Sequence, residues 1–310
     1  MLHSAIKLAG KVVGANKLSI LIYHQVLDTA DPMRPSEPTA EVFDWQMRLL
    51  RDYFTPLSLD EALAHLQHNT LPANAVCVTF DDGYLNNLTV AQPILAKYGI
   101  PATVYIATGF SEGQNMWNDR VIHLFADTTR SALQLDDTVV SLSDWQDRRS
   151  KAQQWLKSLK YLPFEQRLAK VNQYYAQNQA TEQAPLMMNP AQLQQLAASG
   201  VTLGAHTVHH PILKVLPAGQ QQAEISQSKQ QLEQWLGQGV RHFAYPNGGQ
   251  GTDFDDTAVQ LVEQAGFASA VVTNWGVSDK HTPPYLLKRF TPWDKTPLAF
   301  HLRLIKNMLS

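Results

Sequence analysis

Residues 75–84 read Ala-Val-Cys-Val-Thr-Phe-Asp-Asp-Gly-Tyr. The apolar run predicts a buried strand over 76–80, and Gly83 marks the turn that ends it. Asp81 and Asp82 therefore stand side by side at the end of a buried strand, where two carboxylates are costly unless a cation lies beside them. Alternation along the extended chain points the two side chains in different directions, so they can do different work. Alone, Asp-Asp-Gly is also simply a good turn.

Outward from this stretch, short apolar runs alternate with helical patterns. Strands are expected at 18–24, 76–80, 103–107, 201–205, 242–245, 268–273 and 286–290. This alternation argues for parallel β/α architecture, and seven strands approach the number of a β/α barrel. The expected fold class is α/β, a distorted (β/α)7-type barrel forming a single domain over 1–310. Between strands, Phe43, Met47, Leu50 and Phe54 repeat at helical spacing, Ser58 with Glu61 forms a capping box, and Asn189-Pro190 opens a helix that Gly200 ends. Ile225, Leu232 and Leu236 mark the inner face of a glutamine-rich helix.

The rhythm breaks between 111 and 188, where no strand is evident but Trp117, Trp145 and Trp155 occur and Phe164, Leu168, Val171 and Tyr175 form a helical stripe. This segment reads as a helical insertion, too apolar for a disordered linker. Its aromatics form either a small core of their own or a lid over substrate, to which residues 116–120 would contribute.

Composition is that of an ordinary globular chain, 44% hydrophobic and 17% charged with formal net charge −2. No basic excess suggests nucleic acid. The single cysteine, Cys77, excludes an internal disulfide and reads as a small buried hydrophobe. No run approaches the ~20 apolar residues of a spanning helix, and no signal peptide is evident, so a cytoplasmic location is expected. Leu2, Ile6, Ala9 and Val13 could line one face of a basic N-terminal helix, either packed on the domain or in weak peripheral contact with a membrane.

Far downstream, residues 206–210 read His-Thr-Val-His-His. Histidine is the commonest neutral metal ligand, and one helical turn or tight loop brings His206 and His210 to one side. The preceding strand puts them on the same rim as the aspartates if the sheet is parallel. One carboxylate with two histidines outlines a metal site, and the second carboxylate is left to move protons. His209 should point elsewhere.

These motifs resemble the polysaccharide deacetylase family, the NodB-homology or carbohydrate esterase 4 group. Thr79-Phe80-Asp81-Asp82-Gly83 matches its first motif, His206-Thr207-Val208-His209-His210 its second, and Phe243-Ala244-Tyr245-Pro246-Asn247-Gly248 its third in a tyrosine-proline form. The resemblance implies that Asp82, His206 and His210 hold one divalent metal, with zinc expected and cobalt, nickel or iron fitting similar ligands. It implies that Asp81 is the general base and that the Tyr245 backbone N–H stabilises the tetrahedral oxyanion, with Pro246 restricting where that N–H points.

The family's usual leucine-x-histidine near the C-terminus is absent, since that strand reads Leu286-Leu287-Lys288-Arg289-Phe290. His24 in Leu21-Ile22-Tyr23-His24 resembles instead the early tyrosine-histidine motif of the circularly permuted, poly-N-acetylglucosamine deacetylase-like branch. That resemblance makes His24 the general acid; the other reading is a core histidine. Arg289 either orients Asp81, as an arginine does in the family, or forms a surface ion pair. Trp117, Trp275, Trp293 and Asn247 are further candidates for substrate contact. The implied activity is removal of an N-acetyl group from an amino sugar in a polysaccharide or lipid-linked glycan. The alternatives are a related C–N hydrolase of small amides or formamides, and a non-catalytic glycan-binding protein.

Overall fold

The computed structural model describes residues 2–309. Its strands are β1 (Leu18–Tyr23), β2 (Thr55–Pro56), β3 (Ala75–Phe80), β4 (Ala102–Ile106), β5 (Ala132–Leu135), β6 (Thr138–Ser141), β7 (Thr202–Ala205), β8 (His242–Ala244) and β9 (Ser269–Val271). Its helices are α1 (Leu2–Val13), α2 (Ala40–Tyr53), α3 (Leu59–His68), α4 (Gln92–Tyr98), α5 (Trp117–Ala126), α6 (Trp145–Leu159), α7 (Phe164–Gln177), α8 (Pro190–Ala198), α9 (Ala218–Leu236), α10 (Asp256–Gln264) and α11 (Pro297–Met308).

Seven strands form one parallel sheet in the order β1-β3-β4-β7-β8-β9, with β2 beside β3. β1 and β3 are buried at every position, as strands covered on both faces must be. Residues 287–290 link the two ends of the sheet. Leu287 bridges Val271 and Phe290 bridges Leu21, both in parallel, so the sheet curls into a distorted β/α barrel. The seventh strand expected at 286–290 is thus a pair of isolated bridges; between them the Lys288 N–H turns aside to Ser278 Oγ.

The helix signals act where the sequence places them. Ser58 and Glu61 form a reciprocal capping box at α3, and Asn189 with Gln192 does the same at α8. Phe43, Met47 and Leu50 of α2 are buried against β1 and β3 in the main core. Cys77 is buried in the sheet. α1 packs on α11, with Ile6 buried and Val13 half-buried, while the side chains of Leu2 and Ala9 lie outside the described residues. Among the described residues no helix is long and apolar enough to cross a membrane.

Between β4 and β7 the chain forms α5, an antiparallel hairpin of β5 and β6, then α6, α7 and α8. The hairpin corrects the expectation of a segment without strands. Leu133 and Leu135 point into a small core shared with Val121, Phe125, Val171 and Tyr175. Trp117 and Trp155 pack against this core, whereas Trp145 is 37% exposed. Phe164 joins a separate cluster with Tyr84, Phe110 and Met116.

Candidate active site

Parallel pairing carries the residues that follow each strand to one rim. Tyr23 pairs with Phe80, so His24 and Asp81 leave neighbouring strands together, and the Asp81 N–H donates to the Tyr23 carbonyl at 2.9 Å. Ile106 pairs with Ala205, and the His206 N–H donates to the Ile106 carbonyl at 2.9 Å. His24, Asp81 and His206, 57 to 182 residues apart in sequence, meet here because the sheet is parallel and their positions all follow strand ends.

Asp82, His206 and His210 converge, with their candidate ligand atoms within 4.8 Å of one another. Nε2 of each histidine lies 3.5 Å from Asp82 Oδ1. The Nδ1 of His206 donates to the Ala244 carbonyl at 2.7 Å, which leaves Nε2 with its lone pair facing the aspartate. Asp82 Oδ1 is buried and has no hydrogen-bond partner. Burial pushes the Asp82 carboxyl up to about 7 and, with His206 nearby, drives His210 well below the ordinary histidine range. A buried, unpartnered carboxylate oxygen beside two neutral imidazoles fits a divalent cation.

The backbone is strained to hold this arrangement. Asp82, Thr207, His210 and Asn247 all adopt positive φ, at 76°, 66°, 51° and 60°. For β-branched Thr207 this is a genuine outlier, of the kind that gathers at functional sites. Thr207 Oγ1 accepts the His210 N–H at 3.1 Å, and Glu224 of α9 accepts the N–H groups of Val208 and His209. Glu224 also pairs with His209 Nδ1 at 2.7 Å, turning that histidine away from its two neighbours.

Asp81 takes a different partner, with its Oδ2 still 3.9 Å from His206 Nε2. Arg289 grips it with two hydrogen bonds, Nη1 to Oδ1 at 2.7 Å and Nη2 to Oδ2 at 2.8 Å. Arg289 is fully buried and also donates to Thr79 Oγ1 and the Val272 carbonyl, which excludes the surface ion pair. Burial opposes ionisation of Asp81, but the Arg289 charge outweighs it and holds the carboxyl down to about 2. His24 lies on the same cavity wall. Burial lowers its pKa, yet the charges of Asp82, Asp81 and Glu37 together raise it above the ordinary value.

Motif three runs on from β8. The Tyr245 N–H donates to the Val271 carbonyl at 3.4 Å, continuing the ladder of β8 and β9, and the Tyr245 ring stacks on Phe254 at 3.9 Å inside the core. Asn247, beyond Pro246, lines the cavity instead. Trp275 packs against Phe290 and the Arg303 guanidinium, and Trp293 is 58% exposed.

The sequence profile of the polysaccharide deacetylase family matches residues 68–270. The chain belongs to this family. As a polysaccharide deacetylase it is a hydrolase of C–N bonds. It is similar to YxkH of Bacillus subtilis, 24% identical over 275 residues that cover 88% of this chain and 70% of that protein. In fold it is similar to Streptococcus pyogenes deacetylase PplD, solved in complex with acetate, at TM-score 0.62 and 22% identity over 94% of this chain and 98% of that one. IcaB from Ammonifex degensii matches at TM-score 0.58 and 20% identity, over 95% and 98% of the two chains.

In this deacetylase the site opens into two adjoining cavities. One, of about 440 Å³, brings His24, Asp81, Asp82, His206, His210 and Asn247 together. The other, of about 490 Å³, is shared between Asp82, His210 and Asn247 on the rim and Met116, Trp117 and Asn118 of the inserted segment. A buried ion pair ties that segment down: Asp119 of α5 accepts from Arg34 at 2.8 Å and from the Tyr84 hydroxyl at 2.9 Å. Asp119 is expected only within a lid segment over 116–120, and Glu37 and Glu224 carry no signal in the sequence, because each finds its partner through the fold and not through a local motif.

Proposed function

We propose that this deacetylase, read as one unit over 1–310 with an insertion at 111–188, removes an N-acetyl or similar N-acyl group from an amino sugar in a polysaccharide or lipid-linked glycan. The observation that carries the reading is the division of labour between adjacent aspartates. Asp82 aims an unpartnered oxygen at two neutral imidazoles, while Asp81 is held ionised by Arg289.

Asp82, His206 and His210 would hold a divalent metal, and zinc suits that ligand set. When bound, the metal would polarise the acyl carbonyl and ease deprotonation of water. Asp81 takes the proton of the attacking water as its oxygen bonds to the carbonyl carbon. The Arg289 fork keeps Asp81 in one orientation and free of a proton beforehand. His24, on the same cavity wall, gives a proton to the nitrogen as the C–N bond breaks, releasing acetate and a free amine. Asn247, not Tyr245, supplies the backbone N–H for the oxyanion. The inserted segment covers the cleft as a lid, with Trp117 against the sugar.

Incubating the zinc-loaded protein with N-acetylglucosamine oligomers and with small amides and formamides tests the reading. Acetate release from the oligomers alone is expected. Turnover of the small amides alone would transfer the chemistry to another substrate class, and no turnover of either would leave only glycan binding.

A further inference from the structure

Arg167 of α7 is a buried cation without a counter-ion. It is 3% exposed, and among the described residues no carboxylate pairs with it. Its guanidinium lies over the Trp117 ring, 4.7 Å from the centroid, and Nη1 donates to the Lys160 carbonyl at 3.1 Å. Its Nε is buried with no hydrogen-bond partner. Buried arginines are ordinarily paired, because desolvating the charge is costly and each unmade hydrogen bond adds to that cost. The other buried arginines show the contrast: Arg289 grips Asp81, Arg120 pairs with Glu182, and Arg148 donates to four backbone carbonyls.

Arg167 lines the 490 Å³ cavity that also reaches Asp82, His210 and Asn247. Lys157 and Lys160 line the same wall, and Lys160 is only loosely engaged, 3.7 Å from Asp253. Three cations on the inserted helices thus face a space that begins at the proposed reaction centre. We propose that this cavity is a subsite for an oxyanion carried by the glycan, a carboxylate or phosphate one sugar or less from the N-acyl group, bound by Arg167 with Lys157 and Lys160 beside it. An oxyanion there would supply the counter-charge that Arg167 lacks, and a guanidinium fork matches it in shape. The placement next to the N-acyl group rests on the deacetylase reading; the anion preference does not.

Calorimetric titration tests this on the zinc-loaded Asp81→Asn variant, which does not consume the probes. Three probes are compared: neutral tri-N-acetylchitotriose, the same trimer with a terminal phosphate, and the same trimer ending in a uronic acid. At least one anionic trimer is expected to bind about tenfold tighter than the neutral one, the worth of a charged hydrogen bond. Which trimer gains identifies the source of the oxyanion. Adding Arg167→Gln is expected to abolish the advantage, and raising salt to reduce it. Equal affinity for all three trimers, or an advantage that survives Arg167→Gln, would overturn the proposal. Circular dichroism checks the fold of that variant. If it does not fold, Lys157→Gln decides, with an undiminished anion advantage counting against the subsite. Acetate release from the neutral trimer by the wild-type protein is scored separately, so failure of the deacetylase reading does not hide the result here.

Discussion

Arg289 and Asp81, 208 residues apart, meet through two parallel hydrogen bonds, with Arg289 fully buried and Asp81 nearly so. The guanidinium is what permits a carboxylate to stay ionised at the end of a buried strand. Arg289→Met would leave that charge uncompensated, a loss of about 3–5 kcal/mol in stability as for other broken buried pairs. The same change releases the Asp81 carboxyl from its depressed value, so the acid limb of the rate profile should move to higher pH. In the wild type the pair's contribution to stability is present above the unfolded carboxyl pKa and is lost as pH falls through about 2. Denaturant unfolding of the two proteins, with pH–rate profiles, measures both effects; an unmoved acid limb would detach Arg289 from Asp81.

The adjacent aspartates should fail differently when neutralised. Asp81→Asn keeps the three candidate ligands and is expected to retain about one zinc per chain while losing at least a hundredfold in turnover, as general bases ordinarily contribute that much. His210→Ala removes a ligand, and its metal content should fall with its activity. Elemental analysis beside an acetate assay separates the two. Equal metal loss in both variants would mean that Asp81 is a ligand.

The strands and the two metal-site motifs were legible because their signals are local. Apolar runs of four to six residues mark β1, β3 and β4, and the residues just past strand ends reach the rim without further information. Arg289 was legible only as an alternative, since nothing near residue 289 reveals a partner at residue 81. The hairpin of β5 and β6 was hidden for another reason: its alternation is short and half exposed, with Val139 facing solvent, and it lies among helices rich in aromatics. The strand expected at 242–245 does reach Tyr245, whose N–H donates to the Val271 carbonyl, but no local signal shows that this N–H has a partner across the sheet. Arg167 carries no local signal, and its isolation arises only where α7 folds over Trp117.

Gly248 should prove essential to the placement of Asn247. It has φ of 70°, and a Cβ there would stand 2.8 Å from Thr273 Cγ2 and 2.9 Å from the Thr273 nitrogen. Thr273 is tied to this turn twice, its N–H donating to the Gly248 carbonyl and its hydroxyl to the Asn247 carbonyl. Gly248→Ala must therefore push the turn off the rim, lowering kcat by about tenfold or more while zinc content is unchanged. Tyr245→Phe is the matched control: its hydroxyl is buried without a partner, so its removal should cost less than about 1 kcal/mol and leave kcat intact. A Gly248→Ala kcat equal to that of Tyr245→Phe and of the wild type would overturn this assignment.

His301 gives the fold a pH dependence remote from the rim. It is buried in α11, close to the rings of Tyr53 and Phe54, and its Nδ1 lies 2.8 Å from Nδ1 of His3 on α1. Burial, reinforced by His3, lowers its pKa to about 4. The unfolded chain, with histidine near 6.5, then binds the proton more readily than the native one. Stability should be unaffected by this group above that value and decline as pH falls from about 6.5 towards 4. His301→Phe removes the titrating group and also the Nε2 that has no partner, so the thermal midpoint of the variant should fall less steeply across that window. Parallel scans between pH 4 and 8 give the comparison, and identical slopes would place the acid sensitivity in other groups.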